Sequence, residues 1–158
     1  MRYWLLKSEP AEFSIDDLAL APRHATAWFG VRNYQARNFM RDEMQVGDQA
    51  FFYHSSCTIP GIVGIVEISQ SAYPDATQFD RNSKYFDPKA TRARPRWFNV
   101  EVKLTKKTRL ISLSELRAQN SLSKMRLLAR GNRLSITPVT AAEWKFILQL
   151  MKKPEGAL

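Results

Sequence analysis

Apolar and polar positions change their period several times along the chain, and each change marks an element. Tyr3 to Lys7 is a short apolar run closed by Ser8-Glu9-Pro10. A proline has no N–H for a ladder, so a first strand is expected to end there. Ser14 stands ahead of Asp16 and Asp17, the pattern of a hydroxyl cap and early carboxylates, which predicts a short helix stopping before Pro22. From Arg32 to Met44, Ala36, Phe39, Met40 and Met44 recur at helical spacing while Asn33, Arg37 and Arg41 fall four apart on another face. The spacing predicts a helix with one packed face and one basic face. Val46-Gly47-Asp48 reads as a turn. Gln49 to Ser55 and Ile59 to Ser69 follow as two strands rich in aromatic and β-branched residues, joined by a hairpin link at Ser56-Cys57-Thr58.

Residues 72–96 are low in aliphatics and carry Pro74, Pro88 and Pro95, so a long excursion with little regular structure is expected, of the kind that usually serves function or is disordered. Phe98 to Leu104 then alternates, with Val100, Val102 and Leu104 on one face and Asn99, Glu101 and Lys103 on the other, as a half-buried strand does. Ser112-Leu113-Ser114-Glu115 and Thr140-Ala141-Ala142-Glu143 match the capping-box pattern and predict two helix starts. Between them fall a short helical stretch around Ser123 to Leu128, a turn at Gly131-Asn132, and a strand from Arg133 to Ile136 stopped by Pro138. Strands and helices without regular βαβ alternation point to an α+β class: a mixed β-barrel of about five to six strands surrounded by short helices, as a single domain over 1–158.

Composition narrows the function classes. At 158 residues, with nine Phe, five Tyr and four Trp, the chain can fill one core and leave rings for a binding surface. No run approaches the ~20 apolar residues that span a bilayer, and Lys7 interrupts the start too early for a signal peptide. These observations lead to the expectation of a soluble, cytoplasmic protein, with nucleoid association as a variant of that placement. One cysteine, Cys57, forms no internal disulfide, and His24 and His54 offer no ligand set for a structural zinc. Twenty-four Lys and Arg against fifteen Asp and Glu give a net charge of +9, which suits phosphate-bearing partners and equally suits solubility alone.

The densest chemistry lies in Trp28-Phe29-Gly30-Val31-Arg32-Asn33-Tyr34-Gln35-Ala36-Arg37-Asn38. Rings stack on bases, an amide donates and accepts on a base edge, and guanidinium groups near a helix start attract phosphate. The other reading places Trp28 and Phe29 in the core and the polar residues on a solvated helix face. In Phe51-Phe52-Tyr53-His54-Ser55, strand alternation sends Phe52 and His54 to one side and presents Ser55 on the other. His54 has no partner at a known triad spacing and reads as structural. Gly61-Ile62-Val63-Gly64 lacks both the Rossmann and P-loop signatures, so its glycines serve a bulge or close strand packing. Asp75, Asp80 and Asp87 sit in or near turn pairs with proline and are assigned no reaction. Arg92, Arg94 and Arg96 before Trp97 form a basic-aromatic cluster, followed by Lys103, Lys106, Lys107 and Arg109, over which a phosphate backbone could track. The alternative there is a solvated loop beside a core Trp97.

Taken in order, Tyr3-Trp4-Leu5-Leu6-Lys7-Ser8-Glu9-Pro10, the Trp28 to Asn38 motif, Phe51 to Ser55, Gly61 to Ile65, Asp87-Pro88-Lys89, Pro95-Arg96-Trp97 and Arg133 to Thr140 resemble the EVE domain family over nearly the whole chain. The resemblance implies a PUA-like barrel related to PUA, ASCH and YTH domains. It also implies a role in reading nucleic acid, with 5-methyl- or 5-hydroxymethylcytosine in DNA as the base. Carried over motif by motif, it implies a base pocket of Lys7, Ser8, Trp28, Asn33, Tyr34, Ser55 and Trp97; on physical grounds the guanidinium groups of Arg32, Arg37, Arg94 and Arg96 are expected on phosphates. It implies no catalytic residue, no cofactor and no metal. Two alternatives stay open: an RNA-binding PUA-like module, and a nucleic-acid-processing enzyme. The partners expected are nucleic acid, with modified DNA favoured and RNA as the alternative, and an effector protein in trans. The chain is expected to be a monomer without membrane contact.

Overall fold

The computed structural model describes residues 1–154. Its centre is a six-stranded mixed sheet in the order β2-β5-β4-β3-β1-β6, formed by β1 (Tyr3–Ser8), β2 (Ala25–Ala27), β3 (Gln49–His54), β4 (Gly61–Pro74), β5 (Phe98–Ser112) and β6 (Ile136–Val139). β1 runs parallel to β3, and the other neighbours are antiparallel. This is the expected α+β, PUA-like arrangement, left open between β2 and β6, which are not hydrogen-bonded neighbours among the described residues.

Both faces of the central strands are covered, which explains their nearly continuous apolar runs. One face carries Trp4, Leu6, Ala50, Phe52, Val66, Val100 and Val102. It packs against Ile15 and Leu18 of α1 (Ile15–Leu20) and against Ala36, Phe39 and Met40. The opposite face carries Leu5, Phe51, Tyr53, Ile62 and Ile111. It packs against Leu116 of α3 (Leu113–Arg117), and against Trp144, Ile147 and Leu150 of α4 (Ala141–Met151). Between α1 and α3 in sequence lies α2 (Tyr34–Asn38). Gly64 lets α1 seat flush on the sheet, since a Cβ there would lie 2.7 Å from Ile15 Cδ1. The register also shifts at Phe52/Tyr53, so the glycine pair serves close packing beside a bulge.

Several expectations shift for identifiable reasons. The helix expected over 32–44 starts at Tyr34, because Asn33 is its extended N-cap and accepts from the Ala36 N–H at 3.0 Å. It then widens into a π-helical turn over Phe39–Glu43. Ser112 caps α3 as expected, but the Glu115 carboxylate turns away to a two-pronged pair with Arg109 at 2.9 and 2.7 Å, so the reciprocal half of that box is missing. Thr140 and Glu143 do form a complete box. Pro138 lies within β6 rather than ending a strand over 133–136, which an edge strand tolerates because one side has no partner to receive an N–H. Of the short helical stretch expected at 123–128, Arg126–Leu128 forms a 3₁₀ turn, and a second 3₁₀ turn, Asn120–Leu122, precedes it. β5 extends well beyond Leu104, and Asn99 and Glu101 are buried rather than solvent-facing. No helix is long and apolar enough to cross a membrane among the described residues.

Candidate functional site

The C-terminal end of β1, the stretch after β2 and the turn after β3 converge on a cavity of about 620 Å³. β1 contributes Lys7 and Ser8, the 26–32 stretch contributes Trp28, and the turn contributes Ser55 and Ser56. Backbone bonds set these positions: Lys7 N–H donates to the Ser135 carbonyl at 2.8 Å, and Ser55 N–H to the Ser8 carbonyl at 2.9 Å. Trp28 N–H donates to the Val100 carbonyl at 2.8 Å, and its ring stands edge-on to Phe52 with centroids 5.4 Å apart. An aromatic wall is thereby anchored to the main core.

The polar groups of the cavity divide into committed and available. Ser8 donates its hydroxyl proton to the Phe13 carbonyl at 2.6 Å and so faces the cavity as an acceptor. The Lys7 amine has no hydrogen-bonding or ion-pair partner among the described residues, and burial lowers its pKa from the ordinary lysine value. A half-buried amine of this kind gains by meeting an acceptor. At the rim, Lys84 pairs with Glu12, Tyr85 Oη donates to Glu12 at 3.4 Å, and the Tyr85 ring meets Phe29 edge-on at 6.0 Å. Part of the long 72–96 excursion therefore lies over the mouth.

Asp75 holds that excursion to the cavity wall. It is fully buried and accepts from the Gly30 N–H at 2.8 Å, the Thr77 N–H at 2.8 Å, the Thr77 hydroxyl and the Arg32 guanidinium at 3.1 Å. Burial alone raises a carboxyl pKa; here the hydrogen bonds from Thr77, Gly30 and Arg32 outweigh it and hold Asp75 below the usual carboxylate range. Arg32 lines the cavity, yet its donors go to Asp75, Thr77 and the Val31 and Tyr85 carbonyls.

Of the residues singled out from the sequence, Lys7, Ser8, Trp28, Ser55 and Arg32 come together at this cavity. Asn33, Tyr34 and Trp97 stand outside its lining. The Asn33 amide oxygen caps α2, and Tyr34 stacks on Trp97 with centroids 4.8 Å apart and planes 18° from parallel. Arg37 lies 4.7 Å over the Tyr34 ring and Arg32 lies 5.2 Å over the Trp97 ring. Arg96 reaches Asp87 and the Tyr34 hydroxyl, while Trp97 Nε1 donates to Asp87 at 2.8 Å. The result is a layered arginine-aromatic surface beside the cavity. Arg94 is exposed and bonds through its backbone alone among the described residues.

Sequence reasoning missed Asp75 and Tyr85. Pro74-Asp75 looks like any turn pair, and the partners of Asp75 at Gly30 and Arg32 lie more than forty positions away. His54 accepts from the Ile15 N–H through Nε2 at 3.1 Å, fixing the start of α1, which matches its structural reading.

The EVE domain family model matches residues 2–150. Thymocyte nuclear protein 1 of Gallus gallus is 46% identical over 166 residues, spanning 94% of this chain and 68% of the relative. A crystal structure of human THYN1 in complex with 5-methylcytosine-containing DNA is 42% identical with a TM-score of 0.92, covering 98% of this chain and 99% of that one. A structure of a hypothetical protein from Leishmania major is 46% identical with a TM-score of 0.91, covering 96% and 95%. The expectation of a cytoplasmic protein is corrected by these relatives, since those from Gallus gallus and Homo sapiens are named thymocyte nuclear protein 1.

Proposed function

The chain belongs to the EVE domain family, and from that premise we propose that it binds DNA and takes one modified cytosine into the cavity walled by Trp28. The observation that carries this reading is the pairing of an anchored aromatic wall with the half-buried Lys7 amine, unpartnered among the described residues, in a cavity of about 620 Å³. The human relative's complex with 5-methylcytosine-containing DNA supports the choice of ligand.

Extruding a base costs a few kcal/mol, and stacking returns ~1–3 kcal/mol per base. In this reading Trp28 stacks, Lys7 donates to a ring acceptor or carbonyl, and Ser8 and Ser55 meet the exocyclic groups. Arg37, Arg94 and Arg96 hold phosphates, with Tyr34 and Trp97 as the stacked platform that positions two of those guanidinium groups. Arg32 and Asn33 serve the wall and the α2 cap. The role is binding rather than catalysis: the Ser8 proton is committed to a carbonyl, and His54 serves Ile15 outside the cavity lining.

Oligonucleotide binding by variants tests the assignment. Lys7→Met and Trp28→Ala are expected to lose the preference for 5-methylcytosine over cytosine. Arg94→Ala is expected to weaken both DNAs equally and to reduce the salt slope by about one. A Trp28→Ala variant that folds and keeps the preference would show that the cavity is not the reading site.

A further inference from the structure

We infer that Phe29 is a wedge: its ring enters the DNA stack at the place vacated by the base that the cavity takes, so the natural partner is a duplex with one extruded nucleotide. The inference rests on the base-binding reading above and adds a contact at the rim of the cavity.

Three observations converge on this ring. The backbone from Trp28 to Gly30 is pinned at both ends, by Trp28 N–H to the Val100 carbonyl and Gly30 N–H to Asp75, each at 2.8 Å. Trp28 continues the antiparallel pairing of β2 with β5, and such backbone sends successive side chains to opposite sides. Trp28 is accordingly 7% exposed and Phe29 51% exposed. Among the described residues, Phe29 is the one large apolar side chain that both lines the cavity and stands open to solvent, for Met1, Leu20, Tyr34, Val46, Ile59 and Tyr73 lie outside the lining.

The setting fixes the ring without covering it. Tyr85 touches Phe29 by its edge, with planes 73° apart, and itself rests over Gly30, where φ is +82° and a Cβ would lie 2.7 Å from Tyr85 Cζ. An aromatic ring already held in place loses little entropy on stacking. The surrounding rim is charged, with Glu9, Glu12, Lys84 and Arg133, so beyond its edge contact with Tyr85 about half of the phenyl ring is left to solvent. Apolar side chains inserted at base steps are a recurrent means of stabilising distorted duplexes. A base drawn past Trp28 leaves such a gap one residue away from the ring.

The test compares the parent with Phe29→Ala and Phe29→Trp on three probes: a duplex with one 5-methylcytosine and 2-aminopurine as its neighbour, the same strand alone, and 5-methyl-2′-deoxycytidine. Phe29→Ala is expected to weaken duplex binding about tenfold, to weaken the nucleoside far less, and to change the parent's 2-aminopurine signal. Phe29→Trp is expected to retain duplex binding. Duplex binding by Phe29→Ala equal to the parent would overturn the wedge, as would equal losses on the nucleoside and the duplex, which would place the ring in the cavity. A parent with no preference for the modified duplex would overturn the base-binding reading and the wedge together.

Discussion

Replacing Asp75 by Asn tests whether one buried carboxylate organises the cavity wall. All four groups that meet Asp75 are donors in the structure: two N–H groups, a hydroxyl and a guanidinium. An amide offers one oxygen and one NH₂. Either orientation therefore sets the NH₂ against the Gly30 and Arg32 donors or against the Thr77 donors. One buried donor left unsatisfied costs about 1–3 kcal/mol, and breaking a buried ion pair costs about 3–5 kcal/mol. The Arg32 side chain is 22% exposed and recovers part of its hydration, so a total of about 3 kcal/mol is expected. That is a large share of a stability of roughly 5–15 kcal/mol, and for a chain of this size it lowers Tm by about 6–12 °C. Urea unfolding followed by fluorescence gives the first number and a thermal melt the second. The same variant releases the Gly30 and Tyr85 contacts, so affinity for modified DNA should fall more than affinity for plain DNA. A change in stability below about 1 kcal/mol, with unchanged preference, would refute the idea that Asp75 holds this wall.

Gly30→Ala places a side chain in left-handed backbone, worth about 1–2 kcal/mol, and displaces Tyr85; a melt lowered by a few degrees and weaker modified-DNA binding are expected from calorimetry and anisotropy. His54 is held below the ordinary histidine pKa by burial, opposed by Asp16 and reinforced by Lys107. Its folded form thus binds a proton less well than the unfolded chain. The stability this contributes is full above about pH 6.5 and is lost as pH falls through the folded value. Melts between about pH 7.5 and about pH 5.5 should fall for the parent and flatten for His54→Gln; parallel profiles would remove His54 from this role. Breaking the exposed Lys84–Glu12 pair by Lys84→Ala should leave the urea midpoint of unfolding essentially unchanged, and a clear drop would show that the pair holds the rim.

Much of the fold was legible because the sheet is built from contiguous segments whose burial shows in local pattern. β1, β3 and the start of β5 announce themselves as apolar or alternating runs, and the Ser14, Ser112 and Thr140 caps lie where hydroxyls precede acidic residues. β2 was missed because three residues, Ala25–Ala27, are too few to show a period. The interruption of the 32–44 helix was missed because the widened turn keeps its apolar residues on nearly the same face. At the candidate site, Lys7, Ser8, Trp28 and Ser55 were legible from motifs. The commitments of Asn33 to Ala36 and of Arg32 to Asp75 were not, since nothing in a sequence says whether a polar side chain is already satisfied by its own protein. Asp75 and Tyr85 act through contacts forty or more residues distant, beyond any local pattern.

The most direct measurement is fluorescence anisotropy of the protein with matched DNA duplexes carrying cytosine, 5-methylcytosine or 5-hydroxymethylcytosine at one site, at two salt concentrations, with an RNA of the same sequence alongside. Tighter binding to a modified duplex that persists as salt rises is the predicted result, because stacking on Trp28 and the Lys7 contact do not depend on counterion release. Equal binding to every duplex, vanishing together with salt, would contradict the account and leave only the +9 surface charge at work.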